Sequence, residues 1–254
     1  RRSSDLQVSI AVVDSRGQVL GLVRSPDAPV FGIDVAAQKA RSATLFSANF
    51  AATELGADPS ADVRGFVQKT RDFFADPAAL TGKTAFGART IGNLARPYYP
   101  DGEVGRPNGP LSRPIAQWSP LSTGLQSALV IGNIGQHLGF VTGALATDTP
   151  AVCTALPQVA PGQNRLQNGL QIFPGGVPIY RGTRVVGGIG VSGDGIDQDD
   201  MVSFLGVHNG GLRVGGIGNA ATSVRADTLV VGPSAPARLR YRSEEHTSEL
   251  QSQN

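Results

Sequence analysis

The stretch FPGGVPIYRGTRVVGGIGVSGDGIDQDD, residues 173–200, decides the fold. Its β-rich runs, residues 177–180 and 184–192, flank Arg181, Gly182 and Thr183, a turn whose glycine accepts positive φ, so the segment reads as a β-hairpin. Glycine survives inside a strand where another backbone or a flat ligand must come close, and Gly187, Gly188 and Gly190 are read in that way. Gly188, Gly190 and Gly193 also fit GxGxxG spacing. In a dinucleotide site, however, such glycines join a strand to a helix within a parallel unit, whereas these begin inside an antiparallel pair. Before the hairpin, residues 173–178 form a turn in which two glycines expose N–H groups and two prolines withhold theirs. That turn either lines a pocket or simply connects strands. After the hairpin, acidic residues precede Met201, Val202, Phe204 and Leu205, which predicts a short helix ending near Gly206. The cluster Asp194, Asp197, Asp199 and Asp200 lacks the alternation and distal Glu of an EF-hand, so helix capping accounts for it.

Outward from this segment, LQVSIAVV (residues 6–13) and QVLGLVR (18–24) flank an Asp-Ser-Arg-Gly turn and predict another hairpin. Ile33, Ala36, Ala37, Ala40, Ala43, Thr44 and Phe50 then recur at helical spacing, predicting a helix over residues 33–53. Residues 62–74 suit a short helix. Beyond it Pro97, Pro100, Pro107, Pro110, Pro114 and Pro120 punctuate the chain, so residues 56–165 read as a long irregular insertion or flap rather than core. Its most apolar part, residues 125–146, contains Asn133, Gln136, His137 and several glycines, and is not a membrane span. Strand-like runs return at 228–231 and 238–241, and residues 213–218 echo 184–190 too briefly to be a repeat. Hairpin, helix, insertion, hairpin, helix cannot make a βαβ series. The expected fold class is α+β, an antiparallel β-sheet flanked by helices, in one domain over residues 1–241 with a C-terminal extension over 208–241.

The 254 residues are 40% hydrophobic, enough for a sizeable core. A net charge of +2 with no long basic face argues against nucleic acid. The single cysteine, Cys153, excludes an internal disulfide and a cysteine-based zinc site. The tail RSEEHTSELQS, residues 242–252, is similar to a translated sequencing adapter, and residues 242–254 are expected to be non-native and to pack against nothing.

Among candidate site residues, Lys39 lies near the apolar stripe of its helix, where it could pair with a ligand carboxylate or snorkel into water. His137 and His208 stand in no metal-binding pattern, although one imidazole suffices as a haem axial ligand and His137 is the candidate carried forward. No GxSxG elbow, general-base pair or metal cluster is legible, which argues against an enzyme.

Taken in order, VSIAVVDSRGQVLGLVR, IDVAAQKARSATLF and FPGGVPIYRGTRVVGGIGVSGDGIDQDD resemble the GlcG/HbpS-like haem-binding family. The resemblance covers residues 8–50 and 170–205. It implies a compact bacterial α+β domain that assembles into homo-oligomers and binds haem or a related small flat ligand, with haem as cofactor. The family's first helix is absent, and the long insertion points to the longer, exported branch, hence to a periplasmic or secreted protein. Carried over by motif, Lys39 falls on the family's helix lysine, Gly175, Gly176 and Pro178 on its GGxP turn, and Gly188, Gly190 and Ser192 on its glycine-rich strand. A flat anionic ligand is therefore expected between that turn and the helix. The alternatives are a haem-degrading or other small-molecule enzyme, and an accessory domain without a ligand.

Overall fold

A computed structural model describes residues 6–119 and 123–243. Strands β1 (Ser9–Asp14) and β2 (Val19–Arg24) form the first hairpin, and β3 (Gly176–Arg181) and β4 (Arg184–Ser192) the second. At the first turn Asp14 Oδ1 accepts from the N–H groups of Arg16 and Gln18 while Gly17 adopts φ +80°, the local chemistry read from the sequence. The hairpins join through β1 and β4, with Ser9 opposite Ser192 and Asp14 opposite Gly187, giving an antiparallel sheet in the order β2-β1-β4-β3. The fold is α+β as expected.

Neighbouring residues along β4 face opposite ways. Gly188 and Gly190 face α1 (Gly32–Phe46), whereas Ile189 meets Gly206 of α6 (Ile196–Val214), so the sheet lies between two helices. Helix α1 stops earlier than its apolar pattern suggests. Ser47 turns its hydroxyl to the backbone of Phe86, donating to the carbonyl and accepting from the N–H, and a separate α2 (Ala51–Gly56) comes next. Helix α6 continues past Gly206 to Val214. Its glycines are contact points rather than a stop, since Gly206 admits Ile189 and Gly211 lies against the Ile217 carbonyl.

The insertion departs most from expectation. It contains α3 (Ala61–Phe74), α4 (Ala88–Leu94) and α5 (Gly124–Val141). It also supplies core: Phe66, Ile91, Leu94, Tyr99, Leu111 and Leu125 are buried in one cluster with Val177 and Ile189 of the sheet. The prolines set its turns, but the apolar residues between them are shared with the domain. The strand-like runs near the C-terminus shrink to β5 (Val230–Val231) and β6 (Ala237–Arg238). Of the adapter-like tail, residues 244–254 lie outside the described residues. Arg242, contrary to expectation, packs its guanidinium over the Phe204 ring at 4.6 Å, and Ser243 is buried. No helix among the described residues is long and apolar enough to cross a membrane.

Candidate functional site

Helix α1 touches the sheet through glycines. A Cβ on Gly190 would collide with the Ala36 carbonyl, one on Gly188 with Thr44 Oγ1 and the Ala40 carbonyl, and one on Gly176 would sit 2.8 Å from the Lys39 carbonyl oxygen. Ala36, Ala40 and Thr44 are spaced by four, so a single ridge of α1 runs over the glycine groove of β4. Pro178 pairs with Gly188, and Ser192, buried beside Ser9, ends the strand against Gly32.

Lys39 neither snorkels nor faces solvent: it is 1% exposed. Its ammonium donates to Asp199 Oδ2 at 2.9 Å and to the Val191 carbonyl at 2.6 Å. Burial lowers its pKa, with Asp199 and Asp200 opposing the shift. Next to it Asp200 accepts from the Gly175 N–H at 2.8 Å and from Arg89 Nε at 2.5 Å, while Arg89 also reaches Asp197. Burial raises the Asp200 carboxyl pKa against the pull of Arg89. Asp199 Oδ1 is buried with no hydrogen-bond partner among the described residues. Three of the four acids read from sequence as helix caps, Asp197, Asp199 and Asp200, are thus the counter-charges of two basic residues. The space between the GGVP turn and α1, where a flat ligand was expected, is filled by the Lys39 side chain and Asp199. Lys39, Gly175, Gly176, Gly188 and Gly190 come together as one close-packed unit, and His137 lies elsewhere.

His137 lines a cleft of about 390 Å³ between α1, α5 and the segments around residues 149–153 and 168–170. Val130 and Ile134 of α5 line it together with Val152 and Leu170, giving it an apolar lining. Amide side chains hold its walls at a fixed separation: Asn133 donates to the Val152 carbonyl at 2.8 Å, Gln126 to the Leu170 carbonyl at 3.1 Å, and Gln38 of α1 to the Asn168 carbonyl. Gln38 neighbours Lys39 in sequence, so the same helix that locks into the sheet presents its next residue to the cleft.

At the mouth, His137 Nδ1 lies 2.9 Å and 3.1 Å from the two oxygens of Asp148. This hydrogen bond holds the Asp148 carboxyl below its usual pKa. A carboxylate only accepts, so the neutral imidazole carries its proton on Nδ1 and its lone pair on Nε2. Cys153 also lines the cleft, but burial raises its thiol pKa, which disfavours the thiolate. His137 is therefore the better donor for a metal-centred ligand. His208, expected in a loop, lies on α6 beside an open hollow with Asn219 and Arg225.

Sequence reasoning missed Gln38, Asn133, Asn168 and Cys153 as cleft residues, because the four come from segments that meet only in the folded chain. It also missed Arg89, Asp199 and Asp200 as partners of the Lys39 unit. One signal existed: a lysine within a stripe of Ala36, Ala40 and Ala43 requires a buried counter-charge.

The site is an apolar, histidine-bearing cleft beside an antiparallel α+β sheet that lies between helices. A family profile described as haem degrading protein HbpS-like matches residues 1–91 and 133–208, and the chain belongs to this HbpS-like family. Among solved structures it is similar to Klebsiella pneumoniae protein ORFY, of family DUF336, at 17% identity over 77% of this chain and 69% of that one, with a TM-score of 0.32. It is similar also to the PduOC:heme complex, at 16% identity over 77% of this chain and 72% of that one, with a TM-score of 0.33. No curated protein matches it significantly.

Proposed function

We propose that this chain binds haem, or a related small flat ligand, in the cleft between α1 and α5, with His137 Nε2 as the axial donor. The observation that carries the reading is the His137–Asp148 pair at the mouth of an apolar cleft. A histidine oriented by a carboxylate on one nitrogen and open on the other is the usual form of an iron-ligating imidazole. The walls offer Val130, Ile134, Val152 and Leu170 for a macrocycle to lie against. Membership of a family described by haem chemistry supports the same ligand. When bound, haem would supply a redox-active iron. The protein's part is to bind it, orient it and hold the imidazole tautomer.

In this reading Lys39, Gly175, Gly176, Pro178, Gly188, Gly190 and Ser192 act from behind the cleft. They fix α1 on the sheet, and through α1 they fix Gln38 at the cleft wall. Haem handling by binding is the first reading. Degradation is the second, favoured by the family's description. Hemin titrated into the chain should give a saturable Soret shift; a shift that never saturates would overturn binding and leave the accessory-domain alternative. Progressive loss of that band on adding ascorbate or peroxide would move the assignment to degradation.

A further inference from the structure

The cation that the sequence offered for a ligand carboxylate is not at the cleft. Lys39 spends its charge on Asp199 and the Val191 carbonyl, and is 1% exposed. Among the described residues, the cleft lining contains no lysine and no arginine. Its polar members are four amides, one hydroxyl, one thiol and the His137 imidazole. The amide nitrogens are already engaged: Gln38, Gln126 and Asn133 donate to the carbonyls of Asn168, Leu170 and Val152, and Asn168 donates to Asp34 Oδ1. Arg41 touches the lining only from within. Its Nη1 donates to Asn168 Oδ1 and its Nε to the Gly17 carbonyl, and the residue is 4% exposed.

Negative charge, by contrast, borders the cleft twice. Asp148 is bonded to His137, and Asp34, exposed on the first turn of α1, accepts from Asn168 Nδ2 at 3.1 Å. Burial and then the charge of Asp34 push up the Cys153 thiol, so the field of Asp34 reaches the lining.

We propose that the cleft selects flat ligands by an uncharged edge, and that any carboxylate on the ligand is turned out to water and contributes no affinity. This selectivity rests on the cleft being the ligand site. A carboxylate that enters without a cation or free donors loses its hydration and gains nothing in return. Sites built to hold carboxylates present a guanidinium fork or unspent N–H groups. Here the donors are occupied, and the carboxylates of Asp34 and Asp148 repel another of the same sign. A macrocycle with its acids on one edge therefore enters by the opposite, hydrocarbon edge, which the apolar lining suits. An anionic ligand seated against Lys39 gives way to a flat ligand recognised by its apolar body and its metal.

Hemin and its dimethyl ester, presented to the full chain from the same dilute detergent and followed by the Soret band, test this. The ester is expected to bind at least as tightly as hemin, and hemin binding should not weaken as ionic strength rises. Asp34→Asn should tighten hemin about twofold and leave the ester unchanged, because only hemin carries charge for Asp34 to repel. Comparing each porphyrin across the two chains cancels the greater apolarity of the ester. An ester held about tenfold more weakly than hemin, or hemin binding that is lost with salt, would overturn the selectivity and leave the cleft as the ligand site. Hemin weakened by Asp34→Asn would do the same, since Asp34 would then assist binding. Saturable binding of neither porphyrin would sink the ligand reading itself, and the selectivity with it.

Discussion

The α1–β4 contact and the distal half of α5 both rely on glycine, and they use it in opposite ways. At α1 the glycines of β4 let two backbones touch: a side chain at Gly188 or Gly190 would meet backbone atoms of Ala36 and Ala40. On α5, Gly132 and Gly135 have nothing within 4 Å of where a Cβ would stand, and Ile134 between them is more than half exposed. One region is closed, with basic and acidic groups paired inside it. The other is open and uncharged. Closure at α1 fixes one wall of the cleft, while the other wall, on α5, stays exposed.

The comparison can be broken most forcefully at Gly190. Gly190→Val should separate α1 from the sheet and destabilise the domain by about 5 kcal/mol, enough to abolish a cooperative melt. A well-folded variant would show that the close approach is dispensable. Lys39→Met should cost about 3 kcal/mol in denaturant unfolding, because it leaves Asp199 buried without its counter-charge. The double variant Lys39→Met with Asp199→Leu should recover most of that loss, and a loss that persists would mean that the pair is not the reason.

Alkaline titration sharpens the picture of the core. Burial raises the Tyr180 pKa to about 12 and pushes Tyr99 and Tyr241 up as well. The native state thus keeps protons that the unfolded chain begins to release near pH 10, and the stability these groups contribute is complete below pH 10 and is lost as pH climbs toward 12. Tyrosinate absorbance should consequently rise together with unfolding, and early ionisation of these tyrosines in a folded chain would contradict their burial. The smallest effect belongs to the open region: Gly132→Ala should stabilise by about 0.5–1 kcal/mol through helix propensity alone. Destabilisation there would mean that the face is already occupied.

These contrasts also explain what was legible in the sequence. The hairpins, α1 and α3 arise from local periodicity and turn chemistry, and the glycines of β4 announced a close approach. What approaches them is α1, a helix more than 140 residues earlier in the chain, and periodicity does not carry that information. Lys39 stood out as a cation in an alanine stripe, but its partner Asp199 lies 160 residues away. The insertion misled because proline density hides apolar residues that join a distant core, and α6 outran its expected end because its glycines serve packing. For the candidate site, His137 was visible as a residue but not as a donor. Its partner Asp148 and the lining residues Val152 and Leu170 appear only once α5 is placed.

Hemin binding by His137→Ala tests the central claim most directly, with Gly132→Ala, on the same helix but outside the cleft lining, as the control. The predicted result is a displaced Soret maximum and an affinity at least tenfold weaker for His137→Ala, about 1.4 kcal/mol or more, with the control unchanged. An unaltered spectrum and affinity in His137→Ala would contradict the assignment of the cleft between α1 and α5 as the ligand site.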